Sequence, residues 1–339
     1  MKNYLLKSII AIAVLLLAAC GSTKKSETEQ SLQTPVGPQF VADSAMAYCK
    51  AQCDFGPRTM NSNAHDLCEA WIADKFRQFG NEVWTQKTDI KAWDGTILHS
   101  TNIIARYNPK ATQRILICAH WDSRSWADND PDSTNWKKPV LAANDGASGV
   151  GVMLELARLL QADTTDISLG IDFVCFDAED YGVPQWAENG MGDTSDTWAL
   201  GAQYWATQYQ KALAEEAEKT PVYEFGILLD MVGGQGSRFY QEGFSLRYAA
   251  NIVDKVWSAA QVAGMGSFFV NEAGGYITDD HDPINKVGIP TIDIIPYFPD
   301  CEQSSFGPTW HTVNDDMEHM DANVLKAVGQ TLVQVIYSF

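Results

Sequence analysis

The sequence predicts a single three-layer α/β/α sandwich around a mixed, mostly parallel central sheet, occupying residues 39–339. Three observations predict it. Residues 114–119, 167–176, 225–229 and 291–295 are near-continuous apolar runs, the pattern of strands covered by helices on both faces. Longer segments of helical periodicity alternate with them, the element order that builds a parallel or mixed sheet. From Val41 onward no second linker-like stretch and no repeat interrupts the chain. Its 339 residues, 45% hydrophobic with 11 Trp, 12 Tyr and 14 Phe, suffice for one large core.

The N-terminus reads as a targeting device. Lys2 and Lys7 precede an apolar run from Ile9 to Ala19, shorter than the about 20 residues a spanning helix needs. A basic start, a short apolar stretch and small residues before a cut site describe an export signal. Leu17, Ala18, Ala19 and Cys20 resemble a bacterial lipobox, which implies that residues 1–19 are removed and that Cys20 carries a lipid. Residues 20–38, rich in Ser, Thr, Gln, Lys and Pro, then form a flexible tether. The expected location is the bacterial cell envelope, lipid-anchored and facing the periplasm.

Helices are expected over 41–53 and 64–79; in the second, Leu67, Trp71, Ile72, Phe76 and Phe79 share a face. Residues 97–107 and 114–119 read as strands. A helix over 147–160 then leads to a strand over 167–176, and a helix over 198–218 to a strand over 225–229. A helix over 245–262, a strand over 291–295 and a closing helix over 323–337 complete the order. Of the seven cysteines, Cys118 and Cys175 lie inside apolar strands, where a free thiol acts as a small core hydrophobe. No disulfide pairing is assigned, and no two cysteines have the spacing of a zinc knuckle. With 43 Asp plus Glu against 24 Lys plus Arg, the net charge of −19 argues against nucleic acid as a partner.

The chemistry gathers where strands end. His120 and Asp122 follow the run 115–119, the stretch from Asp177 to Asp180 follows 173–176, and Asp230 follows 225–229. In α/β sheets, ligands bind beyond the carboxyl ends of the strands. Carboxylates buried there without partners cost several kcal/mol each, and a cation is the simplest compensation. Asp145, just before a helix, and His311, beside Trp310, complete the candidates. Imidazole mixed with carboxylates points to zinc rather than to magnesium or calcium. The neighbours Glu179 and Asp180 point in different directions from a non-helical segment, so one can bind metal while the other faces substrate. His65, His99 and His319 stand in no such cluster and are assigned no function.

Six segments carry a family resemblance: 119–123 (AHWDS), 144–147 (NDGA), 176–180 (FDAED), 228–231 (LLDM), 279–281 (DDH) and 310–312 (WHT). They occur in the order found in zinc-dependent aminopeptidases and the related glutaminyl-peptide cyclotransferases. The WHT triplet and residues 282–290 resemble the cyclotransferase branch, specifically its bacterial lipoprotein members. The resemblance implies an aminopeptidase-like sandwich holding one zinc through Asp145, Asp180 and His311. It further implies Glu179 as general acid/base, hydrogen-bonded to Asp279, and Asp230 binding the substrate amine, with Trp310 and Trp186 lining the pocket and His120 beside the substrate. Asp180 departs from the pattern, standing where relatives commonly carry Glu.

The implied reaction closes an N-terminal glutamine of peptides and proteins to pyroglutamate and releases ammonia. The competing reading is an aminopeptidase in which His120, Asp145 and Asp230 hold a second zinc and Glu179 activates a water. A third is a catalytically silent binding protein on the same fold, against which the intact Glu179 and the complete ligand set argue.

Overall fold

The computed structural model describes residues 34–165 and 167–339. Its strands are β1 (Glu82–Lys91), β2 (Ile97–Tyr107), β3 (Arg114–His120), β4 (Gly170–Phe176), β5 (Gly226–Leu229), β6 (Phe239–Gln241), β7 (Phe269–Ala273) and β8 (Thr291–Ile294). The helices are α1 (Ala42–Cys53), α2 (Asn63–Gln78), α3 (Ala147–Ala162), α4 (Leu200–Glu215), α5 (Gly243–Val262), α6 (His281–Lys286) and α7 (Ala322–Tyr337). Six strands make the main sheet in the order β1-β2-β4-β3-β5-β8, and β6 pairs with β7 separately. The first two pairings are antiparallel and the remaining three parallel, so the sheet is mixed and mostly parallel as the apolar runs predicted.

Side-chain alternation along these strands builds the two flanking layers. Ile115, Ile117 and Ala119 of β3 join Phe173 and Cys175 of β4 in a core shared with α1, α2, α3, α5 and α7. Leu116 and Cys118, pointing the other way, join Val174 and Phe176 in a smaller core beneath Ala202, Trp205 and Ala206 of α4 and Ile284 of α6. Every residue of β3 and β4 is buried, which is why both read as continuous apolar runs. The parallel set sends the carboxyl ends of β3, β4, β5 and β8 to one edge, and the functional candidates follow them there.

The sequence reading missed three kinds of element. The edge strand β1 has no fully buried residue and intersperses Val83, Trp84 and Ile90 with polar side chains, so it carries no apolar run. The strands β6 and β7 are only three and five residues long. Helix α6 has six residues and carries Pro283 in its first turn, where a missing N–H costs nothing. The expected tether also ends sooner than Pro38. The Val36 N–H donates to Gln334 Oε1 at 2.9 Å, and Gln330 Nε2 donates to the Pro38 carbonyl at 3.2 Å. Residues from Val36 thus dock on α7, while the expected signal, the lipid site Cys20 and the residues up to 33 lie outside the described residues. Cys49, Cys53, Cys68, Cys118, Cys175 and Cys301 are free thiols.

Candidate active site

Asp145 sits immediately before α3, and its backbone N–H donates to Asp315 Oδ2 at 3.0 Å. Gly146 has a φ of +101°, and a Cβ there would lie 2.6 Å from the Asp122 carbonyl, so glycine is required for the turn. The Glu179–Asp180 pair is clamped by Asp122, whose Oδ1 accepts the Glu179 N–H at 3.1 Å and whose Oδ2 accepts the Asp180 N–H at 3.2 Å. Ala178, Met231 and His311 all adopt left-handed backbone despite lacking glycine's freedom. Each lies at or beside a candidate residue, where the fold holds strain to aim side chains.

These constraints bring Asp145, Asp180 and His311 together. Nε2 of His311 lies 3.2 Å from Asp180 Oδ1 and 3.6 Å from Asp145 Oδ2. Ligands about 2.0 Å from a tetrahedral zinc stand about 3.3 Å apart, so the spacing suits that ion. All three residues are buried, with one ligand atom each within 4.8 Å of the others. Neither Asp180 carboxylate oxygen accepts a hydrogen bond, and with Arg124 no nearer than 3.6 Å to Oδ1 the buried carboxylate has room for a cation closer in. Behind His311, Nδ1 faces Asp128 Oδ1 at 3.5 Å, and Asp128 takes two hydrogen bonds from Arg124 at 3.0 and 2.7 Å. This carboxylate behind the imidazole holds the ring's orientation, as partners of metal-binding histidines do.

A second group shares Asp145. His120 Nε2 lies 3.0 Å from Asp145 Oδ1 and 3.1 Å from Asp230 Oδ1. His120 is buried behind the carboxylates and does not line the cavity they face, in contrast to its predicted place beside substrate.

That cavity, about 350 Å³, is bordered by Asp145, Glu179, Asp180, Asp230, Asp279 and His311 and walled by aromatic and aliphatic side chains. The Trp310 ring stacks on His311 at 3.7 Å, and Trp198 lies nearly parallel to the same imidazole at 6.0 Å. Trp186 is not on this wall: it stacks with Trp136 and meets Trp126 edge-on, in an aromatic group elsewhere. The wall residue is Trp198, missed because it lies eighteen residues past Asp180 with an irregular loop between. Its ring is wedged against Gly182, where a Cβ would come within 2.1 Å, and over the Arg124 guanidinium at 4.6 Å.

The electrostatics follow from carboxylates crowded away from water. Burial, reinforced by Asp180, Asp279 and Asp280 and opposed by His120, pushes Glu179 well above the ordinary carboxylate range. Burial and Asp230 raise Asp279 to about 7, and burial raises Asp230 to about 6. For His311, burial opposes the charged form, but Asp180 and its neighbours outweigh it and lift the ring to about 9. The predicted hydrogen bond between Glu179 and Asp279 is not formed. Oδ1 of Asp279 instead accepts the Asp280 N–H at 2.6 Å, and the two carboxyls act on each other through like charge. His65, assigned no function, packs against Trp121 and pairs with Asp177 at 2.8 Å in the interior.

Against known proteins, residues 102–336 match the model of peptidase family M28. The chain is 28% identical over 245 residues to aminopeptidase YwaD of Bacillus subtilis, covering 70% of this chain and 44% of that protein, so it spans less than half of this relative. A Bacteroides thetaiotaomicron glutaminyl cyclase, solved bound to N-acetylhistamine, is 49% identical with a TM-score of 0.82, over 90% of this chain and all of that one. A leucine aminopeptidase precursor from Bacteroides thetaiotaomicron VPI-5482 is 48% identical with a TM-score of 0.81, over the same shares.

Proposed function

The chain belongs to peptidase family M28, and we propose that within it the protein is a glutaminyl-peptide cyclotransferase, closing N-terminal glutamine to pyroglutamate with release of ammonia and using one zinc ion. The observation that carries the reading is the wall around His311. Trp310 and Trp198 flank the imidazole on the wall of the cavity, giving an apolar lining for a short side chain whose own amine is the nucleophile. Likeness to a solved glutaminyl cyclase along that chain's whole length supports it. The single ion rests on the partners of the two groups: His120 Nε2 meets one oxygen of Asp145 at 3.0 Å and one of Asp230 at 3.1 Å, whereas neither oxygen of Asp180 accepts a hydrogen bond although His311 lies 3.2 Å and Arg124 3.6 Å from its Oδ1.

Asp145, Asp180 and His311 would hold the zinc, which would supply a Lewis acid for the γ-carbonyl. Asp230 holds the substrate's α-amine at the cavity floor. Glu179, whose proton affinity is raised by burial and by its acidic neighbours, takes one proton from the attacking amine and returns it to the departing NH2. Because amine and amide belong to one residue, ring closure needs orientation more than assembly, and the aromatic walls provide it. The competing aminopeptidase reading draws on the second group, His120, Asp145 and Asp230, and on the likeness to the leucine aminopeptidase precursor.

One assay separates the two: purified protein receives a Gln-initiated peptide and a Leu-initiated chromogenic amide, and zinc is counted per chain. Ammonia from the Gln peptide, about one zinc and no amide cleavage are expected. Leu-amide cleavage with two zincs bound hands the case to the aminopeptidase. The substrates are peptides and proteins beginning with glutamine, met at the bacterial envelope through a lipid on Cys20. Cys20→Ala should abolish palmitate incorporation, and incorporation that persists removes the anchor.

A further inference from the structure

Asp145 belongs to both metal-binding groups, with Oδ1 toward His120 and Oδ2 toward His311. The direction of this one side chain therefore decides how an ion is held, and the loop of residues 141–146 ahead of α3 sets that direction. The loop is irregular and, from Ala142 on, buried. Ala142 stands in the left-handed region at a φ of +58°, which a residue with a Cβ keeps only where its surroundings impose it.

Two buried residues of opposite charge, far apart in sequence, impose it. Arg58 sends Nη1 to the Leu141 carbonyl and Nη2 to the Ala142 carbonyl, both at 2.7 Å, and Nε to the Trp121 carbonyl at 3.1 Å. The Arg58 carbonyl in turn accepts the Ser123 N–H at 3.2 Å, so the same residue ties the loop to the segment that follows β3. Asp315 grips the other end. Its Oδ1 accepts the Asn144 N–H at 2.7 Å, its Oδ2 the Asp145 N–H at 3.0 Å, and its carbonyl the Ala143 N–H at 3.3 Å. Over five consecutive residues, the cation thus holds carbonyls and the anion's residue holds N–H groups.

A buried charge ordinarily calls for a counter-charge. Here main-chain groups of a single loop meet both charges, through a planar fork on one side and a two-pronged carboxylate on the other, and such pairs fix orientation as well as distance. Holding the N–H groups of Asn144 and Asp145 together fixes the peptide plane between them, and with it the Cα–Cβ bond of Asp145. Asp315 also lies in the turn that carries His311, where its own N–H donates to the Thr312 carbonyl at 3.3 Å. One turn supplies a metal ligand and aims another.

We infer that Arg58 and Asp315 are positioning residues for the metal, which together set the angle at which Asp145 offers Oδ2 to an ion beside Asp180 and His311 while leaving Oδ1 to His120. Neither lines the active-site cavity, so both act through Asp145 alone.

The assignment rests on the proposed function only for the zinc, and its test needs no substrate. Zinc affinity of the full chain is measured by competition with a chelator, and cobalt(II) loaded in place of zinc reports the ligand geometry through its visible absorption. Asp315→Asn, whose NH2 would face one of the two N–H groups, should weaken zinc about 10- to 100-fold and change the cobalt bands. Arg58→Lys keeps the charge but cannot fork across two carbonyls, and should weaken zinc about tenfold. The matched control is Asp172→Asn, which alters another buried carboxylate, toward the amino end of β4, and should lower stability with zinc affinity and cobalt bands unchanged. If Asp315→Asn does not fold, Arg58→Lys decides. Parental zinc affinity and cobalt bands in the folded variants, with only the melting temperature lowered, show a merely structural role and overturn the inference while leaving the cyclase reading intact. A zinc-loaded parent without action on Gln peptides overturns that reading and leaves these measurements unmoved.

Discussion

Strand β4 carries one buried carboxylate within it and delivers another four residues past its end, and the two have opposite surroundings. Asp172 takes hydrogen bonds from Arg106 at 2.9 and 2.6 Å, from Arg114 at 2.8 Å and from the Tyr223 hydroxyl at 2.6 Å. Asp180 is equally buried, yet neither of its oxygens accepts a hydrogen bond. A protein interior tolerates a charge only when it is paired, and the fold completes the pairing with hydrogen bonds at Asp172, whereas at Asp180 the cationic neighbours Arg124, at 3.6 Å, and His311, at 3.2 Å, approach one oxygen without forming a hydrogen bond. What distinguishes a structural carboxylate from a candidate metal ligand here is the incompleteness of its hydrogen bonding, not its burial. Asp128 belongs with the first kind, since Arg124 clasps it, and yet it serves the second by orienting His311.

The comparison breaks most visibly at the metal. His311→Ala should lose zinc on dialysis and with it all turnover on Gln peptides, whereas Glu179→Gln should keep zinc and lose turnover by about 10²- to 10⁴-fold. Metal analysis of folded protein separates the two. Zinc missing from Glu179→Gln would make Glu179 a ligand and invert its role with Asp180.

Next in size is the paired carboxylate. Asp172→Asn leaves Arg114 buried without its anion, and should cost about 3 to 5 kcal/mol of stability in denaturant melts while turnover per folded molecule stays at the parental rate. A turnover loss without a stability loss would place Asp172 in the functional class instead.

The smallest expected effect is pH dependence in the metal-free chain. Burial and the neighbouring Asp145 raise Asp315 to about 7, and Asp279 stands at about 7 as well. Both folded values exceed the unfolded value near 3.8, so the folded chain binds more protons in between. The stability these groups contribute is full below about pH 4 and lost as pH rises through 7. Chelator-treated protein should therefore melt earlier at pH 8 than at pH 5, by at least about 2 kcal/mol. Zinc on Asp145 removes that group's repulsion of Asp315, so the loaded protein should lose less over the same interval. Parallel pH curves with and without zinc would remove the link between Asp145 and Asp315.

Much of the site was legible because its residues sit at the ends of apolar strands. His120, Glu179, Asp180 and Asp230 each follow a run whose type is written locally, and the parallel sheet carries those ends to one edge. Asp145 and His311 came with the same clustering. Less visible was everything that holds these residues in place. Nothing local in the sequence marks Asp122, yet it clamps both the Glu179 and the Asp180 backbone. Arg124 and Asp128, eight residues or fewer from His120, look like ordinary surface charges until the fold buries them both.

By itself, the sequence determined the order and type of the core elements and the chemistry presented at their ends, because periodicity and strand-end residues are local properties of the chain. Only the tertiary structure decided which tryptophan walls the cavity. Trp186 is nearer in sequence to Asp180, but Gly182 leaves room for the ring of Trp198, and the loop between them returns that residue to His311. Tertiary structure also decided which buried carboxylates are complete. Asp172 and Asp180 look alike in sequence, and partners as distant as Arg106, Arg114 and Tyr223 reach only the first. Pairing across the sheet depends on where strands 50 or more residues apart are laid side by side, and no local pattern encodes that distance.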